Sequence, residues 1–70
     1  MGAWKAIKAG RVLSALLRIG WSVGRRKGSH LRLVRAGWRP VTFAFHEADE
    51  IGPAMLAKIA KDTGLRPEDL

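Results

Sequence analysis

The stretch RRKGSHLRLVRAGWRPVTFAFH, residues 25–46, contains the pattern that decides the fold. Every second position is apolar in two runs of it, which are Leu31 and Leu33, and then Val41, Phe43 and Phe45. Such alternation predicts half-buried strands, and the glycine-containing segment between the two runs predicts a hairpin loop. The sequence therefore predicts two antiparallel strands whose odd-numbered side chains share one face.

A further strand is predicted ahead of this hairpin. Trp21 and Val23 share one parity, and Lys27 and Gly28 form a turn signal after them. We therefore predict a strand over roughly residues 21–26, with Trp21 in the core.

Helical periodicity flanks the three strands. Residues 11–19 carry an apolar stripe and end at Gly20; the stripe comprises Val12, Leu13, Leu16, Leu17 and Ile19. A second helix begins at Pro53 and stops at Gly64, with Met55, Leu56, Ile59 and Ala60 facing inward. The acidic residues before it, Glu47, Asp49 and Glu50, are expected to complement its N-terminus.

The element order is therefore α-β-β-β-α, an α+β fold. A three-stranded antiparallel sheet with both helices on one face buries both helical stripes and leaves the other sheet face to solvent. Seventy residues make one domain, which we place over residues 10–70. Residues 1–9 are expected to be an N-terminal tail or an extension of the first helix.

Charge is distributed unevenly along the chain. Residues 1–45 contain ten Lys or Arg and no acid, whereas residues 46–70 contain three bases and six acids. A one-sided positive field attracts polyanions, so nucleic acid or an acidic protein is the expected partner.

Composition excludes several classes of protein. The chain has no cysteine, so disulfides, thiolate metal sites and a cysteine nucleophile are ruled out, and a reducing cytoplasm is the expected compartment. Its apolar runs are too short to cross a bilayer. The basic segment 4–19 has the composition of a membrane-surface helix, but its apolar stripe is needed for the core. No small-molecule cofactor is implied.

The parity of the strands places one histidine in the open. If odd positions face the helices, His30 and Arg32 face outward. A loop centred near Trp38 would place His30 opposite His46 and Arg32 opposite Ala44. His30 would then lie on the open face beside a basic cluster.

This cluster suits the holding or the cleaving of RNA. Cleavage by the 2′-hydroxyl needs a base, an acid and cations, and histidine is the side chain whose ordinary pKa lies nearest neutrality. His30 and His46 are the candidates by type, and Arg25, Arg26, Lys27 and Arg32 are candidate phosphate contacts. Gly28 and Ser29 form a turn whose backbone can approach a phosphate. Two histidines without a carboxylate cluster make a poor site for a divalent metal ion.

Other interpretations of the same residues stay open at this point. His30 and His46 are equally compatible with ordinary turn and strand-end positions. Trp4 and Trp38 either stack on a base or cap an apolar edge. The whole chain also suits a non-catalytic RNA-binding module, or an interaction protein whose basic face meets an acidic partner.

Four segments together resemble the HicA toxins, also called YcfA-like mRNA interferases. These are LLRIGW (16–21), RRKGSHLRL (25–33), VTFAFH (41–46) and IGPAMLAKIAKDTGL (51–65), in the order and spacing of that family. The likeness covers nearly the whole chain from Gly10 to Leu70.

The resemblance implies a fold similar to a double-stranded-RNA-binding domain and a ribonuclease that cleaves mRNA. It also implies neutralisation by an antitoxin of the HicB type. The family's catalytic histidine is the one in the turn motif, which corresponds to His30 here. We therefore expect His30 to be catalytic, His46 to be at most auxiliary, and the neighbouring basic turn to bind RNA without a metal ion.

Overall fold

A computed structural model of the protein describes residues 4–44, 46 and 49–70. Its elements in chain order are β1 (Ile7–Lys8), α1 (Ala9–Arg18), β2 (Ser22–Lys27), β3 (His30–Val34), β4 (Val41–Ala44), β5 (Glu50–Ile51), α2 (Pro53–Thr63) and a 3₁₀ turn (Pro67–Asp69). Two residues with predicted roles lie outside the described residues. These are Phe45, predicted to lie in a strand, and Glu47, predicted to complement the N-terminus of the second helix.

The three longer strands form the predicted antiparallel sheet, in the order β2-β3-β4. Leu31, Leu33 and Phe43 are buried beneath the helices. His30 and Arg32, which alternate with Leu31 and Leu33 along β3, are exposed. The alternation predicted for β3 and β4 is therefore confirmed, and so is the α+β architecture with both helices on one face.

Both helices end at glycine, as predicted. Gly20 follows α1 with φ +116°, and Gly64 closes α2 in the left-handed conformation with φ +76°. Helix α1 begins at Ala9, two residues earlier than the periodicity predicts, because Ala9 and Ala15 also pack in the core. Alanine has no side-chain entropy to lose, which makes it a favourable residue within a helix.

The predicted inward stripes are correct in part. Val12 and Leu16 of α1 are fully buried, and so is Leu56 of α2, but Leu17 is 43 % exposed and Met55 is 54 % exposed. The prediction for Met55 and Leu17 is therefore wrong. The buried residues of α1 are Ala9, Val12, Ala15 and Leu16, and those of α2 are Leu56, Ile59 and Thr63. At 3.6 residues per turn, Leu17 and Met55 fall outside these faces.

Trp21 joins the sheet to the end of α2. Its side chain is 2 % exposed, and its indole Nε1 donates a hydrogen bond to the carbonyl oxygen of Thr63 at 3.1 Å. The Thr63 hydroxyl donates to the Ile59 carbonyl at 2.6 Å and accepts from the amide of Leu65 at 3.2 Å. The buried polar groups around the predicted core tryptophan are thereby satisfied.

A second, two-stranded sheet is absent from the sequence prediction. Ile7 pairs with Ile51 and Lys8 with Glu50, and the amide of Ala9 donates to the carbonyl of Asp49 at 2.7 Å. The residues directly before α1 are thus a short strand. Two-residue strands are too short to show a period of two, which explains why the sequence pattern does not reveal them.

The same pairing places part of the acidic segment in a strand. Glu50 belongs to β5 and Asp49 precedes it, and the first turn of α2, all of whose residues are described, contains no acid. Asp49 and Glu50 both lie ahead of this first turn, and the expectation that their charges complement the helix end stays a prediction. Among the described residues, no helix has the length and apolar character needed to cross a membrane.

Candidate functional site

A two-residue turn, Gly28 and Ser29, joins β2 to β3 and fixes the position of His30. Gly28 has φ +58°, and no other residue of this turn has a positive φ, which matches the type II′ hairpin turn with glycine at its first central position. A β-carbon on Gly28 would meet no heavy atom within 4 Å, so the turn stands clear of the rest of the fold. His30 is consequently the first residue of β3, paired directly with Lys27.

A β-bulge at Gly24 determines which basic side chains join His30. Val23 pairs with Leu33, but the next pair toward the turn is Arg25 with Arg32, so Gly24 is an extra residue. Directly paired residues share a face of the sheet, which places Arg25 with Arg32 and Lys27 with His30 on the open face. Without the bulge, the odd parity of Trp21 and Val23 would direct Arg25 and Lys27 toward the helices.

Arg26 differs from its two neighbours. It pairs with Leu31, whose side chain is buried, so Arg26 belongs to the helix side of the sheet at its edge. Its Nε donates to the carbonyl of Gly28 at 3.4 Å, which holds its stem against the turn. Of the basic residues assigned to the site from sequence, Arg26 is the one that the structure places away from the open face.

The open face of the sheet, here the outward residues of β2, β3 and β4, carries positive charge without a compensating acid in these fully described strands. It contains Ser22, Arg25, Lys27, His30, Arg32, Val34, Thr42 and Ala44. Thr42 and Ala44, opposite Arg32 and His30, are small and exposed, so they leave the histidine and the arginine accessible from the β4 side. An accessible imidazole among cations suits a phosphodiester substrate.

The predicted pairing of the two histidines is wrong. His30 lies opposite Ala44, and Arg32 lies opposite Thr42, so the hairpin is centred on Gly37 rather than on Trp38. The reason is the turn: the amide of Trp38 donates to the carbonyl of Arg35 at 3.0 Å, and Gly37 has φ +85° at the third turn position. A type II turn requires glycine or asparagine there.

His46 lies two residues beyond Ala44, past the end of β4. It is exposed, and its carbonyl accepts a hydrogen bond from the amide of Asp49 at 2.9 Å. The residue borders a groove of about 500 Å³ between β4 and α2, together with Asp49, Glu50 and Met55. The structure thus brings His30, Arg25, Lys27 and Arg32 together but does not place His46 opposite His30.

Sequence reasoning missed the bulge, although one signal for it was present. A glycine inside a strand pattern often marks a β-bulge, and Gly24 occupies that position. The register error placed Arg32 opposite Ala44, whereas Arg32 lies opposite Thr42. Within residues 4–44, 46 and 49–70, no three His, Cys, Asp or Glu side chains gather as metal ligands do.

Comparison with known proteins agrees with this geometry. Residues 9–65 match the family model described as HicA toxin of bacterial toxin-antitoxin. No curated protein matches the chain. The match extends from the start of α1 to just beyond α2, so it includes the whole open face, the Gly28 turn and His30. The chain therefore belongs to the HicA toxin family, the toxins of bacterial toxin–antitoxin pairs, which are generally ribonucleases that cleave mRNA.

Proposed function

We propose that the protein is an endoribonuclease that cleaves mRNA on the open face of its sheet, with His30 as a general acid or base. The observation that carries this proposal is the exposed imidazole of His30 directly opposite Lys27, on a face that also carries Arg25 and Arg32. An mRNA substrate is met in the cytoplasm, which makes that the compartment of action.

The reaction needs only groups of this kind. The 2′-oxygen of the substrate attacks the adjacent phosphorus, the bond from phosphorus to the 5′-oxygen breaks, and the products carry a 2′,3′-cyclic phosphate and a 5′-hydroxyl. One proton leaves the 2′-hydroxyl and one joins the 5′-oxygen. His30 carries one of these protons, and we assign the other to water. The proposal requires no metal ion.

The cations have a separate task. Negative charge develops on the phosphoryl oxygens as the new bond forms, and Lys27 and Arg32 flank the imidazole where that charge would lie. Arg25, opposite Arg32, extends the positive surface along β2 and would contact a neighbouring phosphate. Gly28 and Ser29 leave the approach to His30 free of a bulky side chain, and we assign them backbone contacts with RNA. Arg26 was also assigned to RNA binding from the sequence, but its place on the helix side of the sheet makes a phosphate contact least supported for this residue.

The antitoxin partner that family membership implies would block this surface. We propose that it is of the HicB type and covers His30 with an acidic or apolar patch. Competition tests this assignment: the antitoxin should displace a bound oligonucleotide, and Arg25→Glu should weaken both complexes. An antitoxin that binds while leaving RNA binding intact would show that it acts elsewhere.

Cleavage itself is tested with purified protein, a defined mRNA and EDTA present. His30→Ala should lower the cleavage rate by about 10²- to 10⁴-fold, the usual contribution of one positioned acid or base. His46→Ala is the matched control and should cleave at the wild-type rate. Mass spectrometry of the product ends should find a 2′,3′-cyclic phosphate. A substrate with a 2′-deoxy nucleotide at the cleaved position should not react, because it lacks the attacking hydroxyl.

Binding separates this function from its rival, a non-catalytic RNA-binding module with the same fold. The affinity of His30→Ala for a 2′-O-methyl oligonucleotide, which lacks the attacking hydroxyl, should stay near that of the wild type. If wild type and His30→Ala degrade mRNA at the same rate, His30 is not catalytic. If the wild type binds RNA but never cleaves it, the binding-module interpretation is correct.

A further inference from the structure

An exposed tryptophan lies at the opposite end of the sheet from the Gly28 turn. Trp38, in the loop between β3 and β4, is 42 % exposed, whereas Trp21 beside it is 2 % exposed. The proposed cleavage reaction makes no use of Trp38. A tryptophan ring left half in water offers an apolar surface on which a planar group can stack.

The ring is held in a fixed orientation. Its centroid lies 5.8 Å from that of Trp21 at an interplanar angle of 65°, and the guanidinium of Arg35 lies 5.4 Å from the ring centroid. A β-carbon on Gly64 would come within 2.9 Å of the indole Cη2, so the ring edge lies directly on the backbone at the end of α2. A ring fixed in this way loses little conformational entropy when a ligand stacks on it.

Trp38 is one of the residues that line a basic pocket. The pocket has a volume of about 540 Å³, and its wall includes Trp38, Arg39, Lys58 and Lys61, with Asp62 as its one acid among the described residues. Arg35, which lies over the ring, is not among the residues that line the pocket. Three cations beside a half-exposed aromatic residue form a combination that can hold a base and its phosphates.

The pocket and the open face meet at the edge strand β4, whereas Lys58 and Lys61 reach the pocket from α2 on the other side of the sheet. Thr42 contributes to its wall, and Thr42 is also the residue paired directly with Arg32 on β3. The His30 and Ala44 pair lies two residues farther along the same strands, a distance of about 6.6 Å at 3.3 Å per residue. An RNA strand with a phosphate at Arg32 would therefore pass around the edge of β4 to reach the pocket.

We propose that this pocket is a second RNA subsite, in which one unpaired base stacks on Trp38 while Arg39, Lys58 and Lys61 hold the flanking phosphates. The inference rests on the proposed ribonuclease function and extends it. Stacking on an indole requires a base that is free of its own pairing partner, so the preferred substrate is single-stranded over the nucleotides between His30 and the pocket.

Binding of a fluorescein-labelled 2′-O-methyl oligonucleotide of twelve or so residues, followed by anisotropy, tests the subsite. Trp38→Ala should raise the Kd roughly 5- to 150-fold, the range for loss of one base–aromatic stack. Trp4→Ala is the matched control and should leave the Kd unchanged. Asp62→Asn should tighten binding, because it removes the one acid of the described pocket wall.

A set of oligonucleotides with a single abasic position supplies the second arm. One oligonucleotide of the set should bind the wild-type protein with a Kd raised as much as Trp38→Ala raises the Kd of the intact oligonucleotide. The same abasic oligonucleotide and the intact one should bind Trp38→Ala with equal Kd. In Trp4→Phe, whose remaining indoles are the buried Trp21 and Trp38, the intact oligonucleotide should quench the emission and the abasic one should not. This measurement decides the matter even if Trp38→Ala fails to fold.

The outcomes separate the two proposals. If the wild type binds and cleaves RNA but Trp38→Ala and every abasic oligonucleotide bind normally, the subsite is wrong and the proposed function stands. If an abasic position lowers the affinity of Trp38→Ala as much as it lowers that of the wild type, the base contacts another residue and the subsite is again wrong. If the wild type neither binds nor cleaves RNA, both proposals fall.

Discussion

The bulge at Gly24 leads to a prediction that distinguishes two adjacent arginines. Arg25 pairs with Arg32 on the open face, whereas Arg26 pairs with the buried Leu31 and belongs to the helix side. The two residues have the same chemistry and differ by one position in the chain. If the open face is the RNA surface, Arg25→Ala should remove a phosphate contact and Arg26→Ala should not.

The magnitude follows from counterion release. Each phosphate neutralised on a single strand contributes about 0.7 to the slope of log K against log salt. Arg25→Ala should therefore lower that slope by about 0.7, and Arg25→Ala with Lys27→Ala by about 1.4. Between 50 and 200 mM salt, the wild type should lose about sevenfold more affinity than the double variant. Arg26→Ala should keep the wild-type slope.

The assay is anisotropy of a labelled 2′-O-methyl oligonucleotide at five salt concentrations between these limits. Circular dichroism of each variant checks that the sheet is intact. Equal slope changes for Arg25→Ala and Arg26→Ala would refute the assignment of faces by the bulge. An unchanged slope in the double variant would show that RNA binds somewhere other than the open face.

Three stability predictions follow from the packing, each measured by thermal unfolding. Gly64→Ala should destabilise the fold by more than the about 1–2 kcal/mol that the left-handed conformation costs a residue with a β-carbon, because that carbon would also meet Trp38. A loss within that range would contradict the contact. Leu33→Ala, at a fully buried centre of the sheet, should cost about 2–5 kcal/mol, a large share of the stability of so small a domain. Met55→Lys should change stability by less than about 0.5 kcal/mol, because the Met55 side chain is more than half exposed, and a larger loss would show that it packs in the core after all.

Local physics made most of the site predictable. The type II′ turn depends on a glycine at its first central position, and that glycine, Gly28, is visible in the sequence next to His30. Outward placement of His30 and Arg32 follows from the alternation with Leu31 and Leu33, because successive side chains of a strand point to opposite faces. The uneven distribution of charge can be predicted without a structure, since a count of residues shows that the N-terminal part of the chain is basic.

The grouping of the remaining cations could not be predicted in the same way. Alternation carried forward from Trp21 and Val23 places Arg25 and Lys27 on the helix side, and only the extra residue at Gly24 reverses this. Whether a strand glycine is bulged depends on the partner strand. Val34 lies 3.2 Å from where a β-carbon of Gly24 would be, a contact that no pattern within β2 contains.

The sequence by itself thus determined the order of the two helices and the three longer strands, the buried and open faces of β3 and β4, and the place of His30 beside a basic turn. These depend on residues that are neighbours along the chain. Tertiary structure alone decided that His30 faces Ala44 rather than His46, that Arg25 and Lys27 join it while Arg26 does not, and that Trp38 rests on Gly64. Each of these depends on how separate segments meet, because a shift of the pairing register or one inserted residue changes every contact that follows it.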